Sequence, residues 1–502
     1  MDCIKSAEKI DAAVNGLTYY AGKHLGLKSS DKIYARNILL DILGLPAIND
    51  CAVDTAFIDG LPVPDVILEP FGEFALEKGL TDEAGLDNFL TKIMGAVTPA
   101  PSIIERKFRS VRNKNGALAA CDYLYDLSVH NNYIRKSAID KNIIWRAEKE
   151  NLIITVNLSK PEKSNAEIAR LLAAPVSNYP KCALCEENLG FAGTPRSPAR
   201  QNIRTVPLKL GGEDWFFQFS PYVYYNRHCI AVNREHTPMT VDSATTEKLL
   251  DFVDYIPGYF IGSNASLPLI GGSILNHEHY QGGYFDLPVF GAPVRDKRGF
   301  DGVTVEVLDW YNNAVRLRTS DRDAMRSAGE RFIKFWAEYT DADAGVLAYT
   351  DKPHNSCSPI CRKIGGEYLL DFIFRNNRTD ERYPEGIFHA HPEYFHIKRE
   401  GIGLIEAMGL FILPGRLSTE LKTVEDALTG ALKNIGSERD NKHYGMVEEL
   451  TASFGTANAP ETARRLVREY INRTCRKILE CTAVFKAGTD GFDKFLAAAG
   501  VK

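Results

Sequence analysis

The chain has 502 residues, 44% apolar and 25% charged, with a formal net charge of -5. That is the composition of a globular protein of about two or three domains, and the acidic balance argues against a nucleic-acid-binding surface. The N-terminus, Met1-Asp2-Cys3-Ile4-Lys5-Ser6-Ala7-Glu8, lacks the apolar stretch of a signal peptide, and no apolar run approaches the ~20 residues that span a bilayer, so a cytoplasmic location with no membrane partner is expected.

The first ~130 residues read as helical. Tyr34 to Leu43 has helical periodicity and a glycine stop at Gly44, and Asp87 to Met94 repeats the pattern. From Ile143 the texture turns β-rich, with strands expected at Leu152–Leu158, Asp214–Ser220 and His228–Val232. A helix is expected over Ala244–Val253, behind a cap-like Asp242-Ser243. Further on come a helix at Arg331–Tyr339 and a strand at Leu369–Arg375. The segment from Ile402 to Leu413 reads as buried, and the last ~85 residues as helical.

Ten cysteines are scattered along the chain, and only Cys182-Ala183-Leu184-Cys185 has ligand-like spacing. Two thiolates so placed can grip a tetrahedral zinc, and plain packing fits the spacing equally well. His236, at the end of an expected strand, and His277 would complete a Cys2His2 set that the fold must assemble.

His277-Glu278-His279 lies in a glycine-rich stretch, Gly271 to Gly283. On an extended strand side chains alternate, so the two imidazoles point the same way. Such a pair suits either a satisfied structural role or two neighbouring tasks, one metal ligand and one nucleophile.

The order of these features is specific. Tyr179-Pro180-Lys181-Cys182-Ala183-Leu184-Cys185 is followed by Phe216-Phe217-Gln218-Phe219-Ser220-Pro221-Tyr222-Val223-Tyr224-Tyr225-Asn226 and then by Asn264. After Pro268-Leu269-Ile270-Gly271-Gly272-Ser273 comes His277-Glu278-His279-Tyr280-Gln281. Pro353-His354-Asn355-Ser356, Arg375-Asn376-Asn377-Arg378-Thr379, Gly386-Ile387-Phe388-His389-Ala390-His391 and Gly403-Leu404-Ile405-Glu406-Ala407-Met408-Gly409 continue the series. Together these phrases, from about Asn132 to Arg416, resemble the galactose-1-phosphate uridylyltransferase family of the histidine-triad superfamily. The resemblance is to its second class in particular, the UTP–hexose-1-phosphate uridylyltransferase type.

The resemblance implies an α+β fold with two histidine-triad-like halves built on antiparallel sheets, flanked by helical extensions. The divisions it suggests are 1–130, 131–292 for the nucleophile and zinc half, 293–420 for the sugar-phosphate half, and 421–502. It implies transfer of UMP from UDP-glucose to galactose 1-phosphate through a uridylyl-histidine, in galactose metabolism. UDP-hexose and hexose 1-phosphate would be the partners, in a possible homodimer. His279 matches the nucleophile and Gln281 the donor to a phosphoryl oxygen. Asn264 and Ser273 match phosphate-contacting positions, and Glu406 a glutamate that binds sugar hydroxyls. His396, Lys398, Arg375 and Arg378 are phosphate or sugar contacts, or solvated charges.

Cys182, Cys185, His236 and His277 match structural zinc ligands of the first class, from which this chain departs at Glu278 and Tyr280. His354, His389 and His391 resemble a second metal site there; a phosphate-binding cluster and simple packing compete with metal. Two rival functions remain at this level: a nucleotide hydrolase or phosphorylase using the same histidine, and a non-catalytic UDP-sugar-binding protein.

Overall fold

The computed structural model describes residues 2–159, 178–432, 436 and 441–502. Its strands, in chain order, are β1 (Ile143–Ala147), β2 (Leu152–Asn157), β3 (Val206–Leu210), β4 (Glu213–Phe219), β5 (Cys229–Asn233), β6 (Phe260–Gly262), β7 (His279–Gly283), β8 (Val294–Phe300), β9 (Val303–Leu308), β10 (Ala314–Thr319), β11 (Asn355–Ile364), β12 (Glu367–Asn376) and β13 (Leu410–Pro414). They belong to two units whose segments interleave along the chain.

The first unit comprises the described residues up to Asp140, those from 178 to Lys209, and Glu213–His236. Its N-terminal part is helical, as the periodicity predicts. Ser29–Leu43 stops where Gly44 takes a left-handed φ of 66° and returns its N–H to the carbonyls of Asp41 and Leu40. Leu86–Val97 buries Ile93, Met94 and Val97 on one face. β4 and β5 pair antiparallel, from Trp215 opposite Asn233 to Phe219 opposite Cys229.

The second unit holds residues 141–159, Leu210–Gly212 and those from Thr237 onward. Its larger sheet runs β7-β6-β11-β12-β10-β9-β8, antiparallel throughout. The helices Ser243–Tyr255 and Arg322–Glu338 lie on one face of it. Asp242 caps the first through a capping box with Thr245, the start expected from the sequence. Phe332 and Trp336 of the second helix pack on Phe372 and Phe374 of β12. Side chains alternate along a strand, so Asp371 and Arg375 point to the opposite face.

In a smaller sheet, β1 pairs antiparallel with β2, and β13 pairs parallel with β2. This sheet buries Leu152, Ile154, Phe411 and Leu413 against Leu421 and Ile471 of the C-terminal helices. The fold is α+β. Among the described residues no helix is long and apolar enough to cross a membrane.

Candidate functional site

β7 starts at His279 and pairs with β6, placing Gln281 opposite Gly262 and Gly282 opposite Ile261. The close approach of the two strands explains Gly282: a Cβ there would lie 2.3 Å from the Phe260 carbonyl oxygen. His279 is 6% exposed, and its backbone N–H points to the Met239 sulfur at 3.3 Å. Its Nδ1 lies 2.8 Å from the His277 carbonyl oxygen. A carbonyl only accepts, so Nδ1 carries the proton and Nε2 keeps its lone pair. Burial pushes the imidazole down to about 4, against which the His277 carbonyl is a smaller opposing influence. The ring is therefore neutral near pH 7.

Glu278 turns the other way and accepts from Lys248 of the Ser243–Tyr255 helix, and the Tyr280 hydroxyl donates to the same Glu278 oxygen. Gln281 is two residues beyond His279 and shares its face by alternation, as does Arg375 on β12.

A second group forms on that face. β6 leads into Asn264, whose Oδ1 accepts from the Leu404 N–H at 2.9 Å. Arg375 is fully buried, and its Nη1 donates to the Ile402 carbonyl at 2.8 Å. Lys398 donates to Glu406 Oε1 at 3.1 Å and to the Ile412 carbonyl at 2.8 Å. Glu406 Oε2 accepts from the Gly403 N–H at 3.2 Å. Among the described residues, Asn264 Nδ2 and Arg375 Nε and Nη2 are buried without a hydrogen-bond partner. Burial lowers the Arg375 guanidinium to about 10, with Glu406 opposing the fall, so it stays charged at neutral pH. A buried cation with unsatisfied N–H groups is costly unless an anion meets it.

The first unit holds the cysteines. Cys182 Sγ and Cys185 Sγ are 3.6 Å apart, and Cys185 Sγ lies 3.1 Å from His236 Nδ1. Tetrahedral zinc at ~2.3 Å from each thiolate separates its sulfurs by about 3.8 Å, so the pair is spaced for that metal. The Leu184 N–H points at Cys182 Sγ, and Asn188 Nδ2 ties the carbonyls of Cys182 and Cys185. Within this unit Cys182, Cys185 and His236 thus offer two thiolates and an imidazole at metal-ligand spacing.

Other expected residues are engaged elsewhere. His396 Nε2 lies 3.2 Å from the Tyr470 hydroxyl, and the ring packs edge-on against His443. His354 has both ring nitrogens occupied, by Asn377 Oδ1 and the Thr350 hydroxyl. His391 stacks on Tyr383, with Nε2 at the Ile387 carbonyl and Nδ1 at the Cys481 sulfur. His389 is buried and is held below its ordinary range by burial first and then by the nearby Arg375. These three histidines thus serve separate partners. Ser273 is exposed in the loop before β7, and Arg378 donates to the Gly345 carbonyl.

Sequence reading overlooked Lys248. The available signal was a lysine one helical turn from Thr245 on the apolar side of a capped helix.

Comparison with known proteins covers both units. Residues 31–238 match the family model described as "Galactose-1-phosphate uridyl transferase, N-terminal domain". The galactose-1-phosphate uridylyltransferase of Caldanaerobacter subterraneus subsp. tengcongensis is 40% identical over 98% of this chain and 99% of its own length. This chain belongs to the galactose-1-phosphate uridylyltransferase family. Family members of the same name from Clostridium acetobutylicum (39% identical, 97% of this chain and 99% of the relative) and Bacillus subtilis (40%, 94% of each) match nearly end to end. The resemblance to this family is thus spread over the whole fold, including the helical N-terminal part.

Proposed function

We propose that this family member is a UDP-glucose–hexose-1-phosphate uridylyltransferase that works through a uridylyl-histidine. His279 Nε2 attacks the α-phosphorus of UDP-glucose. A P–N bond forms, the bond to the β-phosphate oxygen breaks, and glucose 1-phosphate leaves with that electron pair. A phosphate oxygen of galactose 1-phosphate then attacks the same phosphorus, the P–N bond breaks, and UDP-galactose leaves. Two displacements through one covalent intermediate make the kinetics ping-pong.

The observation that carries this reading is the hydrogen bond from His279 Nδ1–H to the His277 carbonyl. It holds a neutral imidazole in the one tautomer whose Nε2 is nucleophilic, and the same carbonyl stabilises the positive charge the ring acquires on attack. Gln281 would donate to a phosphoryl oxygen as charge develops there. The unpartnered Asn264 Nδ2 and Arg375 Nε and Nη2 suit phosphate oxygens, with Ser273 as a further contact on the loop. Glu406, oriented by Lys398, would receive sugar hydroxyls. His396 is left out because its ring nitrogen is committed to Tyr470. The spacing of Cys182, Cys185 and His236 suits zinc, and His277 would be the fourth ligand of a Cys2His2 donor set. Such a closed site would supply a rigid anchor next to the nucleophile and no catalytic water.

The test is incubation with UDP-glucose labelled at the α-phosphate. Acid-labile, base-stable label should appear on the protein, be absent from His279→Ala, and discharge as UDP-galactose on addition of galactose 1-phosphate. Absence of label on the unmodified protein, or undiminished label on His279→Ala, would refute the mechanism. Discharge by water alone would identify a hydrolase instead.

A further inference from the structure

Glu278 and Tyr280 flank His279, and the structure gives both side chains work. Their face of β7 is the one covered by the Ser243–Tyr255 helix. Lys248 Nζ donates to Glu278 Oε1 at 2.9 Å, and the Tyr280 hydroxyl donates to the same oxygen at 3.1 Å. The ion pair is almost completely enclosed, with side-chain exposures of 7% and 5%. Thr245, one turn before Lys248, also bonds to Tyr280. The Lys248 stem runs close past Gly211, where an added Cβ would lie 3.0 Å from its Cγ.

Energetics separates two explanations for this network. A buried ion pair seldom adds stability over apolar residues of the same size, because desolvation offsets the attraction. What such a pair does supply is direction: both partners must reach one geometry or be left charged and unpaired. Here that geometry sets the backbone at 278 and 280, on either side of His279. Alternation then decides where the His279 ring emerges on the opposite face.

We propose that Lys248, acting through Glu278, is a positioning residue that fixes the His279 strand for attack on phosphorus. The proposal rests on the reading of His279 as the nucleophile. It predicts a defect in the covalent step and not in substrate binding. A misplacement of about 1 Å at a nucleophile costs up to about 100-fold in rate.

The experiment is single-turnover labelling with α-phosphate-labelled UDP-glucose, across a range of concentrations. The proteins are wild type, Lys248→Met, Glu278→Gln and the double variant Lys248→Met/Glu278→Leu, with melting temperature and zinc content measured on each. The double variant carries no buried charge, so it keeps the fold testable if the single variants unfold. We expect the double variant to recover the wild-type melting temperature and zinc content. Its maximal labelling rate should stay about 10- to 100-fold low, with the half-saturating UDP-glucose concentration changed less than about 3-fold. A double variant that regains the wild-type rate with its stability would overturn the proposal, since the pair would then be merely structural. A loss of rate that follows loss of zinc would overturn it too, by routing the effect through the metal ligands. No label on wild type would sink the nucleophile reading itself, an outcome distinguishable from both.

Discussion

The Nδ1 of His279 is hydrogen-bonded to the carbonyl oxygen of His277, two residues back on the same chain, at 2.8 Å. The nucleophile candidate is therefore oriented by main chain, which no side-chain substitution at 277 removes. A variant at His277 and a variant at His279 should behave differently for that reason. The first leaves the carbonyl in place and alters the proposed zinc-ligand set; the second deletes the nitrogen proposed to react.

Gln281 shares the His279 face and would act in the transition state only. Gln281→Ala should lower kcat by about 100- to 1,000-fold, with kcat/KM falling in proportion and the half-saturating UDP-glucose concentration little changed. Steady-state kinetics with both substrates checks this. A change confined to KM would instead assign Gln281 to ground-state binding.

Cys182→Ser should abolish zinc binding and lower the thermal midpoint, because a metal bound only by the folded state stabilises it by mass action. Elemental analysis and a melting curve with and without chelator read out the two effects. Full zinc content in the variant would remove Cys182 from the ligand set.

Asp371 is fully buried and takes a bidentate contact from Arg316, at 2.7 and 2.9 Å, with Arg362 at 3.5 Å. Asp371→Leu would take the nearest carboxylate from two buried guanidinium groups, leaving Arg316 only the more distant Glu306 at 3.9 Å. It should cost about 3–5 kcal/mol, read as a lower urea midpoint. The loss should be smaller in Asp371→Leu/Arg316→Met, in which one of the two buried cations is removed.

Two half-buried histidines should make stability pH-dependent. Burial, reinforced by His24, holds His130 down to about 4, and its Nδ1 is 2.9 Å from the Tyr20 hydroxyl. Burial, reinforced by His443 and Arg416, likewise holds His396 down to about 4, facing Tyr470. Their ordinary value is about 6.5, so between 6.5 and 4 the unfolded chain binds more protons than the folded one. Their contribution is thus fully present above pH 6.5 and is lost as pH falls toward 4. The thermal midpoint should drop through this window, and less steeply in His130→Gln/His396→Gln. Equal slopes would exclude these histidines as the cause.

Much of the candidate site's local geometry was legible because its signals are local. Cys182-x-x-Cys185 and His277-x-His279 depend on spacings of two and three residues, and backbone geometry converts such spacings directly into side-chain direction. The Asp242 cap and the Gly44 stop were readable for the same reason, since each satisfies backbone groups within one turn. His396 shows the limit: its residue type and neighbourhood suit phosphate, yet its partner is Tyr470, 74 residues away.

By itself, the sequence determined the elements, the shared face of His279 and Gln281, and the family. It could not determine which distant groups meet them. Lys248 is joined to Glu278 across 30 residues, Arg375 to the Ile402 carbonyl across 27, and Asn264 to Leu404 across 140. Those pairings were decided by how helix and loop pack on each face of the second unit's sheet. Periodicity says which way a side chain points, and only packing says what is there to receive it.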